Sequence, residues 1–370
     1  MSKQNFARWL GLILALGCAA LAPAATKPVV QHNKAAAKST PAVLDSIVWR
    51  GDHSTARVFK DLVKQYEASK QGKVTLQPFS TVSGLDAVNA GSADVAGSAR
   101  AAMPDRAEEK GTNFYPVAWD ALVPIVAANN PVGNISLKQL HDLYLGRLSN
   151  WKDLGGEDAP INLYAVAGPL DGIEYSTRLL LFHDGDQTVS VPRLYVNTEK
   201  LEEGVAIDPH GIGMSTLSGV AADRAIKRLD VEGFGASTAS IADGTYPLYA
   251  ALYLAARDDG KNHAAVAKFI QYADSDSARA ILRKHDLVPY AEASGLIAKQ
   301  DERIAYIDAH VRPLAVAGGT PVSAPNATAQ SLQRIAPTSE LTAEAKDRAA
   351  RAAAEKADKV KPTTQDSSGH

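Results

Sequence analysis

The stretch 80-STVSGLDAVNAGSADVAGSAR-100 contains, in order, a loop of small hydroxyl residues, a helix start, a glycine turn and a short strand. GLDAVNAG is typical of a short helix that ends at Gly91, and ADVAGSA is typical of a strand. Loops of Ser, Thr and Gly at helix N-termini hold small oxyanions without a metal, because backbone N–H groups point at the anion. The stretch therefore predicts an anion-binding loop next to a strand.

The chain before this stretch alternates in the same way. DSIVWRG (45–51) and KVTLQPF (73–79) predict strands, and HSTARVFKDLVKQYEASK (53–70) predicts a helix with Ser54 or Thr55 as its N-cap. That helix places four apolar side chains on one face, namely Val58, Leu62, Val63 and Tyr66. Alternating strands and helices predict a largely parallel sheet with helices on both faces.

Three clusters of hydroxyl residues follow predicted strands: Ser54-Thr55, Ser80 to Ser83, and Ser98. In sheets of this kind, ligands bind outside the carboxyl ends of the strands. We therefore expect the three clusters to converge on one site.

The first 24 residues predict a signal peptide. Lys3 and Arg8 form a positive region, Trp9 to Leu16 an apolar region, and Ala22 to Ala24 a small-residue cleavage site. A transmembrane anchor is the alternative, but the apolar run is shorter than the roughly 20 residues that a span needs. The sequence therefore predicts export.

Cys18, the only cysteine, lies in ALGC, which resembles a weak lipoprotein signal. Lipid anchoring at Cys18 ranks second to cleavage after Ala24. In either case the folded part contains no cysteine, so a disulfide framework is excluded.

Composition excludes several functional classes. The 370 residues are 45% hydrophobic and 22% charged, which predicts a sizeable core in two lobes. A net charge of -2 and a pI near 6.5 do not favour a nucleic-acid partner. The chain has no GxSxG, HExxH, CxxC or Walker motif, and its nine histidines are scattered. We therefore predict no enzyme activity, no cofactor and no metal site.

The two ends of the chain are low in large apolar side chains. Residues 25–44 are rich in Ala, Lys, Pro, Thr and Ser, and predict a flexible linker. Residues 311–370 include the alanine-rich run TAEAKDRAARAAAEKADKV, which has high helix propensity but lacks an apolar stripe. We interpret this tail as solvated and disordered or partly helical, with a partner-binding helix as the alternative.

Several blocks of the chain together resemble a known family. They are GDHST (51–55), the stretch 80–100, NNPV (129–132), SLKQLHDLYLGRLSNWKDLGG (136–156), GIGMSTL (211–217) and YPLY (246–249). Their order and spacing closely resemble the phosphate-binding periplasmic component of bacterial phosphate ABC transporters. The resemblance extends from about Asp45 to Tyr290.

The resemblance implies a two-lobed, periplasmic-binding-protein-like (PBP-like, type II) α/β clamshell, with mixed sheets flanked by helices. Residues 45–130 and 246–310 would form lobe 1 and residues 131–245 lobe 2, with two crossover strands as the hinge. GIGMST would be a strand of lobe 2. The block 136–156 would serve packing, with a helix over LKQLHDLYLG on which periodicity leaves His141 exposed.

The family holds phosphate with three loops, and the resemblance assigns nine ligand-binding residues here. They are Ser54, Thr55, Ser80, Thr81, Ser98, Arg100, Ser176, Thr177 and Arg178. The match is uneven, because Asp52, His53, Val82 and Ala99 stand where smaller or hydrogen-bonding residues are usual.

The third loop, PLDGIEYSTRLLLF (169–182), departs most from the family. Glu174 and Tyr175 replace a compact Gly-Ser-Gly, and no arginine leads the loop. Glu174 would either accept the proton of monohydrogen phosphate or repel a dianion. Arg178 would either face the ligand or pair with Glu174 at i,i+4.

The sequence thus predicts a monomeric exported protein of the periplasm of a Gram-negative bacterium. It would capture inorganic phosphate and deliver it to the membrane permease of an ABC transporter. The alternatives are binding of another small oxyanion, or an envelope scaffold protein with a degenerate site.

Overall fold

The computed structural model describes residues 45–168, 170–191 and 193–311. The strands are β1 Ser46–Asp52, β2 Lys73–Phe79, β3 Val95–Ser98, β4 Thr112–Ala127, β5 Asn134–Ile135, β6 Asn162–Val166, β7 Arg193–Tyr195, β8 Gly211–Thr216, β9 Ile226–Arg228, β10 Asp230–Val231, β11 Tyr249–Arg257 and β12 Val288–Pro289. The α-helices are α1 His53–Ala68, α2 Thr81–Asn89, α3 Leu137–Tyr144, α4 Gly172–Phe182, α5 Thr198–Ile207, α6 Leu217–Val220, α7 Thr238–Ala242, α8 His263–Ala273, α9 Asp276–Lys284, α10 Gly295–Ala298 and α11 Gln300–Val311. Short 3₁₀ helices cover Ala107–Glu109, Trp151–Leu154 and Tyr290–Ala293.

The predicted signal peptide (1–24) and linker (25–44) lie outside the described residues, as does the predicted tail apart from Val311, which ends α11. In the described part of the chain, no helix is long and apolar enough to cross a membrane.

The main sheet has the strand order β2-β1-β3-β11-β4-β8-β6-β7, with β12 and β9 also paired to β4. β1 runs parallel to β2 and β3, and β6 runs parallel to β7 and β8. β11 pairs antiparallel with β3 and β4, and β4 pairs antiparallel with β8. The sheet is therefore mixed, as the resemblance implies. The parallel pairing predicted from the alternation of strands and helices is limited to β1 with β2 and β3, and to β6 with β7 and β8.

The long strand β4 joins the two halves. Its first part, Thr112–Ala121, pairs with β11, and its last part, Leu122–Ala127, pairs with β8 and β9. We call the half around β1, β2 and β3 lobe 1 and the half around β6, β7 and β8 lobe 2. Their predicted boundaries, 45–130 with 246–310 and 131–245, remain a prediction.

The helix α1 shows why the sequence folds as predicted. Its four predicted apolar side chains are all buried, namely Val58, Leu62, Val63 and Tyr66. A stripe of this width lets a helix pack along a sheet while its opposite face stays in water. The N-cap prediction was wrong, because Asp52, and not Ser54 or Thr55, caps the helix.

The predicted packing role of the block 136–156 agrees with the structure. The Trp151 ring is buried, and its Nε1 donates to the His210 carbonyl at 3.0 Å. The exposure predicted for His141 was wrong, because its ring lies 4.7 Å from that of Phe182 and is buried. Contact with α4 buries a position that periodicity alone assigns to the surface.

Candidate functional site

Three helices begin where the two halves of the sheet face each other. α1 follows β1 and α2 follows β2 in lobe 1, and α4 follows β6 in lobe 2, where the strands run in the opposite direction. The first backbone N–H groups of a helix have no partner within it, so each helix start needs an acceptor from elsewhere. Between the two halves the acceptors are Asp52 for α1, Ser80 for α2 and Asp171 for α4.

The first predicted loop is organised around the Asp52 carboxylate. Asp52 Oδ1 accepts the backbone N–H of Ser54 at 2.8 Å and the Ser54 hydroxyl. A negative side chain here satisfies the helix N–H groups and complements the helix dipole. The Ser54 hydroxyl is therefore used as a donor inside its own loop. The Thr55 hydroxyl is buried and has no partner in the described part of the chain.

The second predicted loop is held by two hydroxyl residues. Ser80 and Ser83 form a reciprocal capping box at the start of α2. Thr81 Oγ1 accepts the N–H of Ala99 at 3.1 Å, which ties α2 to the end of β3. Gly84 is needed here because a Cβ would lie 2.3 Å from the carbonyl oxygen of Arg50. This close approach fixes the start of α2 against β1.

The predicted ligands Ser98 and Arg100 bind protein groups in this conformation. The Ser98 hydroxyl donates to the Arg100 carbonyl at 2.7 Å. The Arg100 guanidinium pairs with Glu109 at 2.5 Å, and both side chains are buried. Its Nε donates to the Leu170 carbonyl of lobe 2 at 2.7 Å. Arg100 thereby connects the lobes through backbone and carboxylate contacts.

In the third loop, Arg178 pairs with Glu174. Arg178 Nη2 lies 2.7 Å from Glu174 Oε1, and Arg178 Nη1 donates to the Gln187 carbonyl at 2.9 Å. Burial raises the pKa of Glu174, while the Arg178 charge acts in the opposite direction. Of the two predicted arrangements, the i,i+4 pair is the one present.

The remaining hydroxyls of the third loop lie within α4. Ser176 Oγ donates to the Ala99 carbonyl at 3.0 Å, which is a second contact between the lobes. The Thr177 hydroxyl is buried without a partner among the described residues. Both residues follow the first turn of α4, so neither caps the helix.

Sequence reasoning did not single out Asp171, which is the N-cap of α4. Its Oδ1 accepts the N–H of Gly172 at 3.1 Å and, from lobe 1, the N–H of Val82 at 3.3 Å. Burial, followed by the charge of Asp52, raises the pKa of Asp171 to about 7. An Asp directly before a helical run is an N-cap signal, so the position was recognisable but its contact with the other lobe was not.

We call this junction the α2–α4 contact, formed by Thr81, Val82, Ala99, Asp171 and Gly172. A Cβ on Gly172 would lie 2.5 Å from Thr81 Oγ1 and 2.7 Å from Ala99 Cβ. The start of α4 therefore packs directly on lobe 1, and only glycine permits this approach.

A second junction, the α1–α5 contact, joins the lobes through Arg57, Glu202, His53 and Glu199. Arg57 Nη2 lies 2.6 Å from Glu202 Oε2, and His53 Nδ1 lies 3.3 Å from Glu199 Oε2. Arg57 also donates to the Gly219 carbonyl. The pKa of Glu202 is raised by burial, and the Arg57 charge opposes this rise only in part. The Arg57–Glu202 ion pair thus joins the two lobes at this junction.

Charge near the three helix starts is unevenly balanced. Glu109, Glu174 and Glu202 each pair with an arginine. Asp52 and Asp171 instead accept N–H and O–H groups, and neither has a cationic partner in the described residues. The helix starts therefore supply N–H groups together with two carboxylates that lack a cationic partner. Within the same residues, no group of three or more His, Cys, Asp or Glu side chains could hold a metal ion.

Comparisons with known proteins agree with this architecture. Residues 36–277 match the family described as a PBP superfamily domain. The phosphate-binding protein PstS of Bacillus subtilis (strain 168) is 28% identical over 177 residues, which are 46% of this chain and 57% of that protein. The alignment thus spans little more than half of the curated relative.

Two solved structures share the fold. A putative phosphate ABC transporter substrate-binding protein with bound phosphate from Clostridium perfringens has a TM-score of 0.60 at 20% identity, covering 66% of this chain and 99% of that chain. An ABC-type phosphate transport receptor from Vibrio cholerae has a TM-score of 0.52 at 24% identity, covering 65% and 99%. They confirm the predicted fold class, a mixed α/β fold with a sheet flanked by helices.

The relatives named as phosphate-binding proteins confirm the predicted resemblance, and because the family match covers more than half of the chain, the protein belongs to the PBP superfamily domain family.

Proposed function

We propose that the protein captures inorganic phosphate between its two lobes and delivers it to an ABC transporter. The observation that carries the proposal is the meeting of helix N-termini from the two lobes where the carboxyl ends of their strands face each other, and where N–H groups of α2 and α4 share one carboxylate oxygen. Groups that hold a carboxylate also suit a phosphate, since both are anionic oxygen acceptors.

The proposed ligand groups are the backbone N–H groups that begin α1, α2 and α4, with hydroxyls from the predicted loops. In lobe 1 these hydroxyls belong to Ser54, Thr55, Ser80 and Thr81. Thr55 and, in lobe 2, Thr177 support the proposal best, because their buried hydroxyls have no partner in the described chain. Arg100 and Arg178 would act indirectly, since their guanidinium groups already bind carboxylates.

The remaining predictions belong to the same proposal. The protein would act as a monomer in the periplasm of a Gram-negative bacterium and present its closed form to a membrane permease. It would not act as an enzyme or bind nucleic acid. Lipid anchoring at Cys18 stays the alternative to a cleaved signal peptide.

Titration calorimetry of the purified protein with phosphate at pH 7 tests the function. We expect heat of binding together with a higher melting temperature, and a weaker response to sulfate. Sulfate has no proton to share with a carboxylate near neutral pH, and it would meet the unpaired Asp52. Absence of both heat and thermal stabilisation at millimolar phosphate would refute the proposal.

A second candidate function is an envelope scaffold that retains the fold without binding an anion. The specific observation in its favour is that Asp52 and Asp171 already accept the helix N–H groups. Deletion of residues 313–370 separates the two functions. Loss of envelope association in a protein that also gives no phosphate signal would favour the scaffold.

A further inference from the structure

The Asp171 carboxylate accepts hydrogen bonds from helix N-termini of both lobes, as a bound anion would. One oxygen accepts an N–H group from the first turn of α4 in its own lobe and another from the first turn of α2 in the opposite lobe. An ordinary N-cap serves only its own helix. Only 4% of Asp171 is exposed, so the contact is formed out of water.

Neighbouring contacts hold Asp171 in this position. On one side of it, the Leu170 carbonyl accepts Arg100 Nε at 2.7 Å. On the other side, Gly172 packs against Thr81 and Ala99. The loop that carries the carboxylate is therefore docked on lobe 1 at both of its ends, and the lobes meet without an intervening group at this point.

The charges around Asp171 do not neutralise it. The end of β1 contributes Asp52, and Arg100, two residues after β3, has its guanidinium paired with Glu109. Asp52 also acts on the charge of Glu202 in α5, and Glu202 is itself paired with Arg57. In the described part of α2, the groups that face Asp171 are backbone N–H groups.

We propose that the Asp171 carboxylate is a tethered anion that competes with phosphate for the N–H groups at the start of α2. The proposal rests on the function proposed above and names Asp171 as the residue that sets how readily phosphate enters. Phosphate would displace the carboxylate because it offers more charge and more acceptor oxygens to the same donors. The ionised side chain resists this exchange, and the protonated side chain resists it less.

The pH dependence follows from burial. Because burial and Asp52 raise the pKa of Asp171 to about 7, the side chain is mostly neutral below this pH and charged above it. Competition with phosphate should therefore grow as the pH rises through 7. An uncharged replacement should remove this dependence.

Phosphate titrations of the wild type and Asp171→Asn at pH 6 and pH 8.5 test the proposal. At each pH both proteins meet the same mixture of phosphate species, so the ratio of their Kd values isolates the carboxylate. We expect the wild type to bind about tenfold more weakly than Asp171→Asn at pH 8.5, and about equally well at pH 6. Asp94→Asn is the matched control, since Asp94 accepts the N–H of Val48 on another part of lobe 1. The ratio of the wild-type Kd to the Asp94→Asn Kd should stay near one at both pH values.

A wild-type Kd equal to or lower than the Asp171→Asn Kd at pH 8.5 would overturn the proposal. Asp171 would then assist phosphate binding or have no effect on it. If no variant binds phosphate at either pH, the proposed function fails, and small-angle X-ray scattering without added phosphate decides the tethered-anion claim separately. Asp171→Ala should then have a larger radius of gyration than the wild type, since it loses the hydrogen bond from the Val82 N–H that joins α2 to α4. An unchanged radius would overturn the claim.

Discussion

The two junctions between the lobes differ in chemistry. In the α1–α5 contact, Arg57 of lobe 1 meets Glu202 of lobe 2, so opposite charges attract across the cleft. In the α2–α4 contact, the Asp171 carboxylate meets backbone N–H groups while a second carboxylate, Asp52, lies near. In the first junction the charges of Arg57 and Glu202 balance each other. The second uses backbone groups that an external anion could also bind, so the proposed anion site lies at this junction and not at the α1–α5 contact.

The largest expected effect concerns the support of the α2–α4 contact. Arg100→Ala should lower the free energy of unfolding by about 3–5 kcal/mol, because it leaves Glu109 as a buried charge without its main partner. The two side chains are 0% and 2% exposed. Denaturant unfolding measures the change.

Arg279→Ala is the control for Arg100→Ala, since Arg279 pairs with the exposed Asp274 and Asp276. Its denaturation midpoint should stay close to that of the wild type. An Arg100→Ala midpoint equal to that of the wild type would contradict the role given to Arg100.

The next effect concerns a buried carboxylate on the α1 side of the cleft. Asp120, in β4, accepts the N–H and hydroxyl of Ser218 at the start of α6. Burial raises the pKa of Asp120 to about 7 against these hydrogen bonds, which lower it. Because the unfolded chain ionises near pH 4 and the folded chain near pH 7, stability should fall as the pH rises through this window.

Between pH 5 and pH 8 the loss from Asp120 should amount to about 2–3 kcal/mol. Asp120→Asn should lack this part of the pH dependence. Its free energy of unfolding relative to that of the wild type should therefore be higher at pH 8 than at pH 5. Thermal unfolding of both proteins across this range measures it. Parallel stability curves for the two proteins would show that Asp120 does not titrate in the window.

A smaller effect is expected from the α1–α5 contact. Arg57→Ala should cost about 1–2 kcal/mol of unfolding free energy, because Glu202 stays buried but loses a charged partner. The cost is lower than for Arg100 because the Arg57 side chain is 38% exposed. A double-mutant cycle with Glu202→Gln isolates the pair, and a coupling energy of zero would mean that the contact does not hold the lobes.

The smallest effect on stability is expected from Thr55→Val. The Thr55 hydroxyl is buried without a partner in the described chain, so its removal should leave stability unchanged or raise it by up to about 1 kcal/mol. Phosphate affinity should fall if this hydroxyl is a ligand. Thr81→Val is the matched control, because Thr81 Oγ1 accepts the Ala99 N–H and its loss should destabilise the protein. Clear destabilisation by Thr55→Val would show that its hydroxyl has a partner.

Much of the fold was predictable because its signals are local. The apolar stripe of α1 and the predicted strands β1, β2 and β3 are present as expected, since periodicity depends on neighbours in sequence. The N-cap of α1 was misassigned because Asp52, Ser54 and Thr55 are all good caps, and backbone direction chooses between them. His141 was misassigned because a packed neighbour, Phe182, lies 41 positions away.

The candidate site was less predictable. Arg100 and Arg178 look alike in sequence as possible anion ligands, yet each pairs with a buried glutamate in the fold. Glu174 lies one helical turn before Arg178, so that pair could be proposed from spacing, whereas Glu109 has no comparable signal.

The fold class, the family and the first strands and helices of lobe 1 were predictable, because motif resemblance and hydrophobic period depend on residues close together in the chain. The cap of α1, the pairing of Arg100 with Glu109 and the contact of Asp171 with α2 in the other lobe are visible only in the folded protein. Charge pairing and desolvation depend on distances between segments such as α2 and α4, which lie about 90 positions apart in the chain and come together only through the fold.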